Sequence, residues 1–280
     1  MTESMTSQAR HLRRPGGSVP GRLAAVVVVL AAIAGPAVAD AVVTAPAAPT
    51  AVGPLDGVPI APTGAYSSSA FCTGGAAGAD GLAGTTIYLT NTTPAAVDGS
   101  MTTWVAPGTA GGSASQGTPG APSHREIVVP AGGSAAVNPG AGLPAGDLAT
   151  SFAFDGGGVA VNQVASGANG WSTAPCASQT SGSWYFAGGS TAAGNVLTLD
   201  LFNPSATDAV VNLSFVTPGG VVAPSTYQGL EIPAGQVVSE NIGDFVQGQG
   251  EIGTVLSAQS GSVVADELQQ WSSGSTGGVS

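Results

Sequence analysis

The stretch LTLDLFNPSATDAVVNLSFVTPGG (Leu197–Gly220) places apolar residues at alternate positions on both sides of an Asn-Pro turn. A blurred copy, TTIYLTNTTPAAVDGSMTTWVAPG (Thr85–Gly108), stands 112 residues earlier. Leu197, Leu199 and Leu201 alternate with Thr198 and Asp200, and Val211, Leu213 and Phe215 alternate with Asn212 and Ser214. Period two is the signature of a strand with one face in a core and one in solvent. The turn reads as backbone geometry, with Asn203 held extended before Pro204.

The duplication extends well beyond this unit. FCTGG (Phe71–Gly75) matches YFAGG (Tyr185–Gly189), Asn91 matches Asn203, IVVPAGGS (Ile127–Ser134) matches LEIPAGQV (Leu230–Val237), and Trp171 matches Trp271. The offset shrinks from 114 to 100 along this series because the first copy carries the longer loop Gly111–Arg125. A unit of roughly 100 residues is too long for a solenoid repeat and suits a sandwich domain. Further β-rich runs at Gly229–Ile232, Val237–Ser239, Thr254–Ala258 and Val263–Leu268 are bounded by Gly, Pro or Asn. The expected fold is all-β: two tandem antiparallel β-sandwich (Ig-like) domains, 66–180 and 181–280, after an N-terminal signal or anchor segment.

That segment covers residues 1–39. Arg10, Arg13, Arg14 and Arg22 precede the apolar run Leu23–Ala34, Gly35-Pro36 breaks it, and Ala37-Val38-Ala39 offers cleavage after Ala39. Its apolar length suits either a cleaved signal peptide or a retained anchor. Residues 40–65, rich in Ala and Pro, read as an extended linker. From Asp40 onward there are fifteen acidic residues and one base, Arg125, a formal charge of −14. Such a surface repels phosphate backbones, so no nucleic-acid partner is expected, and the membrane is reached only through the N-terminal segment.

Cys72 and Cys176 are the only cysteines. In an exported chain they predict a disulfide that ties the first and last segments of the first domain. Closing a loop of about 100 residues is worth about 4–5 kcal/mol in the chain-entropy account. The second copy has Phe186 at the matching position and lacks the staple.

Chemistry-bearing patterns are sparse. GQGEIG (Gly248–Gly253) has dinucleotide-loop spacing, but a strand-like TVLSA follows it and no βαβ unit surrounds it. His124 is the one histidine after the N-terminal segment, sits in the long loop, and has no nucleophile context. Asp266 and Glu267 are adjacent, so on a strand they point to opposite faces and cannot flank one glycosidic bond. Asn91 and Asn212 lie in N-x-S/T sequons. Trp171 and Trp271, recurring near the end of each copy, predict packing that closes each domain. Trp104, Trp184, Tyr185 and Tyr227 form the candidate platform for stacking on a sugar. No catalytic residue, cofactor or metal ligand is assigned.

With these landmarks in place, the second copy resembles an actinobacterial family of exported proteins, domain of unknown function 5719. The resemblance rests on WYFAGGSTAAG (Trp184–Gly194), LDLFNPSATDAVVNLSF, IPAG (Ile232–Gly235) and VVADELQQW (Val263–Trp271), and it is clearest over residues 184–271. The first copy resembles the family's Cys-bearing leading part from about residue 66. Where the family pattern has an acidic-Arg pair in the closing strand, this chain has Glu267-Leu268, which removes that salt bridge. The resemblance implies a secreted or anchored envelope protein of a high-G+C bacterium, with cell-wall polysaccharide or envelope proteins as expected partners. It carries over no catalytic or binding residue. The expected function is a non-enzymatic, extracytoplasmic role that is structural, adhesive or accessory to cell-wall assembly. A carbohydrate-binding module and, further off, a glycoside hydrolase using two distant carboxylates are the alternatives.

Overall fold

A computed structural model describes residues 59–77, 84–106, 120–167, 170–273 and 276–279. The expected export segment (1–39), its cleavage point after Ala39 and most of the linker (40–65) lie outside the described residues. Leu55–Ser280 cluster as one compact unit.

Eight strands form the N-terminal half: β1 (Ser68–Ala77), β2 (Gly84–Asn91), β3 (Val97–Val105), β4 (Ser123–Val129), β5 (Ser134–Val137), β6 (Gly146–Phe154), β7 (Val159–Gly167) and β8 (Gly170–Pro175). One layer runs β4-β3-β6-β1 and the other β5-β2-β7-β8, joined at a corner by a single parallel pairing of Ala76 with Gly84. Ile87, Leu89, Met101, Phe152, Phe154 and Val161 fill the space between the layers.

Nine strands form the C-terminal half: β9 (Ser183–Gly189), β10 (Asn195–Asn203), β11 (Ala209–Thr217), β12 (Gly220–Val222), β13 (Gln228–Ile232), β14 (Gln236–Asn241), β15 (Ile252–Ser260), β16 (Val264–Ser273) and β17 (Thr276–Val279). Here β14-β10-β16-β17 faces a sheet in which β13 and β12 pair with β11, β11 with β15, and β15 with β9. Leu197, Leu199, Leu201, Leu213, Phe215 and Tyr227 are fully buried between them. Apart from the short β12, every strand has its counterpart in the other half at the same place in the same layer. The internal repeat is therefore a repeat of topology. The fold is all-β, built of antiparallel sandwiches, and the disulfide joins Cys72 to Cys176.

The two halves share one buried device. Asn203 is fully buried; its Nδ2 donates to the carbonyls of Thr207 and Ile232, and its Oδ1 accepts from the N–H and hydroxyl of Ser205. Asn91 does the same, with Ala95 and Val129 as acceptors and Thr93 as donor. Each Asn thus closes its own turn and ties that turn to the end of β4 or β13. The first copy has no proline directly after its Asn, so the side chain, more than the X-Pro geometry, is the shared feature. The burial of Asn91 also closes its sequon to modification in the folded protein. A second shared turn uses Gly132 (φ 55°) and Gly235 (φ 64°), left-handed positions that favour glycine, in the two PAG motifs.

Two expectations are corrected. His124 and Arg125 stand on β4 and not in a loop, with His124 Nδ1 2.9 Å from the Thr102 hydroxyl. Trp171 and Trp271 are not equivalent: Trp171 lies on β8, after the β7–β8 turn, whereas Trp271 lies on β16, before the corresponding turn. Both point outward, 68% and 41% exposed, and close no core.

Replacing Asn203 by Ala strands the buried Ile232 carbonyl and removes the acceptor of the Ser205 N–H and hydroxyl, which costs about 1–3 kcal/mol. Asn91→Ala should match it, and Pro204→Ala should cost less than about 1 kcal/mol. Urea unfolding of the three variants checks the ranking.

Candidate functional site

The alternation along β10 predicts Thr198 and Asp200 in solvent, yet both are buried, 3% and 2% exposed. Leu197, Leu199 and Leu201 point into the C-terminal core, so the other face of β10 points towards the N-terminal half. On that face Phe202 meets Trp104, ring centroids 4.8 Å apart, and Ala149, Val237 and Val264 complete the apolar contact. Leu268 packs with Ala165 farther along. The layer β14-β10-β16 is thus covered on both sides, like a central sheet layer.

Polar groups are trapped in this joint. Asp200 pairs across the ladder with Ser239 on one side and Asp266 on the other, so the three side chains share a face. Gln163 on β7 reaches across, its Nε2 donating to Asp266 Oδ2 and, at 2.7 Å, to the carbonyl of Thr73. Asp266 Oδ1 accepts from the Glu267 N–H at 3.1 Å. The bulge in β1 at Gly74 and Gly75 sets β1 directly on this surface: a Cβ on Gly74 would lie 2.8 Å from Asp266 Oδ2 and 3.5 Å from Asp200 Oδ2. Only glycine permits that approach, and its φ of +101° favours glycine independently.

Burial drives the Asp200 carboxyl well above the ordinary carboxylate range; Asp147 and Asp266 push it further, and the Ser239 hydroxyl opposes them. Asp266 is raised to about 7, mainly by burial, against the hydrogen bonds from Glu267 and Gln163. On the opposite face Glu240 and Glu267 both pair with Leu199. Burial raises them to about 6 and about 7, and Glu267 takes a 2.7 Å hydrogen bond from the Thr254 hydroxyl. The fully buried Leu199 fills the space between these two carboxylates.

A cleft of about 450 Å³ opens at the joint, lined by Phe71, Thr73, Gln163, Trp184, Phe186 and Asp266. A shallower groove of about 520 Å³ on the outer surface of β9, β15 and β11 runs past Tyr185. Among the described residues no three His, Cys, Asp or Glu side chains gather into a metal-holding group.

The candidate sugar platform is dispersed. Tyr227 is fully buried with its hydroxyl donating to the Asn241 carbonyl at 3.2 Å, so it cannot stack on a ligand. Trp104 is held against Phe202, and Trp184 donates from Nε1 to the Val263 carbonyl at 3.0 Å beside the cleft. Tyr185 alone of the four is open, 74% exposed. The buried acidic joint escaped sequence reasoning: all seven residues Leu197–Asn203 of β10 are buried, three of them polar, and the sequence shows only the alternation.

Residues 146–279 match the family model of DUF5719, a family of unknown function. The DUF5719 region opens at β6, one residue before Asp147, and takes in Gln163, Cys176, Asp200 and Asp266 together with the whole C-terminal half. A search of curated proteins finds no match.

The raised carboxyls set the sign of the pH dependence. Unfolded, they lose their protons near pH 4; folded, Asp266 and Glu267 keep theirs to about pH 7. The folded state therefore binds more protons between those values. The associated stability is complete below about pH 4 and is lost as pH rises through about 7. In metal-free buffer Tm should be higher at pH 5 than at pH 8 by about 5 °C or more, and Asp200→Asn or Asp266→Asn should flatten that slope. An unchanged slope in both variants would place the titration elsewhere.

Proposed function

We propose that this protein is a non-enzymatic, extracytoplasmic module of the cell envelope, structural or adhesive or accessory to cell-wall assembly. The observation that carries the reading is the fusion of two sandwiches over a doubly covered layer, with one disulfide across the first. That construction suits a stiff spacer or display body. A disulfide also favours an oxidising compartment. Among the described residues no helix is long and apolar enough to cross a membrane; residues 1–39 would supply export, as cleaved signal or retained anchor. The acidic surface favours partners that are neutral or positively charged, including cell-wall polysaccharide and envelope proteins.

One observation favours a second reading, a carbohydrate-binding module. Trp171 and Trp271 are solvent-facing, and β17, which is hydrogen-bonded to β16 beside Trp271, lies against β8, which carries Trp171. Exposed aromatic rings of this kind stack on sugar faces.

Acrylamide quenching separates the readings. The structural reading predicts two accessible and two protected tryptophans, unaltered by cell-wall polysaccharide. Protection of the accessible pair on adding polysaccharide, abolished in Trp171→Ala, would favour the carbohydrate module instead. Fractionation of cells expressing the full chain should place it outside the cytoplasm; a cytoplasmic, reduced protein would overturn both.

A further inference from the structure

The joint between the halves concentrates buried oxygen atoms that are short of hydrogen-bond partners, with the Ser239 hydroxyl turned to Asp200. Six buried side-chain atoms among the described residues lack a hydrogen-bond partner, and five of them stand on its strands: Thr73 Oγ1, Gln163 Oε1, Thr198 Oγ1, Asp200 Oδ1 and Ser239 Oγ. All five side chains are more than nine-tenths buried. Ser239 shares a face with Asp200, Gln163 touches Asp266, and Thr73 precedes the glycine that lies against both carboxylates. Arg125, the one basic residue among those described, sits on β4, three strands from β1 in the layer order. Asp147 and Asp266 both add repulsion at Asp200, and among the described residues no cationic side chain acts on Asp200 or Asp266.

A set of oxygen ligands with two carboxylates, one amide carbonyl and two hydroxyls is hard-cation chemistry. Calcium takes six to eight such oxygens in flexible geometry, whereas magnesium demands a near-ideal octahedron and retains its water. We propose that a calcium ion binds in the joint between Asp200 and Asp266, with Gln163 Oε1, Thr73 Oγ1 and Ser239 Oγ as neutral ligands. Gln163 would turn its amide so that the oxygen, not the nitrogen, faces Asp266. The cleft lined by Thr73, Gln163 and Asp266 is the entry path. Two carboxylates place the site among the weaker extracellular calcium modules, with Kd of about 10⁻⁴–10⁻³ M. Calcium would then act as a cement between the two copies in a compartment that supplies it.

The test is thermal unfolding of the full chain after chelator treatment, at pH 7.5 and constant ionic strength, with calcium or magnesium chloride from 0.1 to 10 mM. The proposal predicts a Tm that climbs with calcium, corresponding at 10 mM to roughly a ten- to hundredfold shift of the folding equilibrium. Magnesium should do clearly less. Asp200→Asn and Asp266→Asn should each abolish the response, while Asp155→Asn, at an exposed position, should retain it. Terbium binding read by tryptophan-sensitised luminescence reports the site directly, since Trp184 lines the same cleft, and covers the case of a variant that folds poorly. No calcium response up to 10 mM would overturn the proposal. A response that survives both substitutions would do the same by assigning the ion to the general acidic surface. A rise in Tm from Asp200→Asn alone, with calcium inert, would show that protons are the joint's only partner.

Discussion

The C-terminal half is organised around a layer, β14-β10-β16, that is covered on both faces. Its inner face carries Leu197, Leu199 and Leu201 against its own second sheet. Its outer face carries Phe202, Val237 and Val264 against Trp104 and Ala149 of the first copy. A sheet of an isolated sandwich would turn that outer face to water and fill it with soluble residues. Here it is apolar at one end and acidic in the middle, so the first copy supplies part of the shelter the second copy needs. Burying Phe202 alone is worth about 2–3 kcal/mol relative to exposure. The glycine at position 74 is what lets β1 descend onto the carboxylates without a clash.

The same contact sets the electrostatics. Burying acids favours their protonated forms, and the cross-strand pairing of Asp200 with Asp266 adds repulsion to desolvation. Such a pair is costly as it stands and becomes favourable once a proton or a cation occupies it. The acids on the inner face, Glu240 and Glu267, are separated by a packed leucine and offer no groove for a glycan. The buried polar chemistry of this molecule is therefore concentrated where its two copies meet, and the exposed Trp171 and Trp271 flank the contact of β8 with β17.

Local features were legible in the sequence because they depend on near neighbours. Period two marked β10 and β11, β-rich runs bounded by Gly, Pro or Asn marked β13 to β16 within a few residues, and two lone cysteines in a chain read as exported pointed to their pairing. Asn91 and Asn203 were recognised as matching turns, but their role as buried four-bond hubs needs the distant carbonyls of Val129 and Ile232. The outer face of β10 was misread as solvent-facing because alternation reports that two faces differ and cannot say what covers the second. Trp171 and Trp271 aligned by spacing, yet the change in loop length between copies set them on different strands. Tyr227 looked like a surface aromatic for lack of any signal of its partners in the core.

The central claim is that the two copies unfold as one body because each completes the other's packing at β10. Hydrogen exchange of the full chain, followed by mass spectrometry through increasing denaturant, measures this most directly. Amides of β1 and β10 should share one global opening free energy and the same denaturant dependence. Exchange of the C-terminal half in a separate, earlier transition, with β1 still protected, would contradict it.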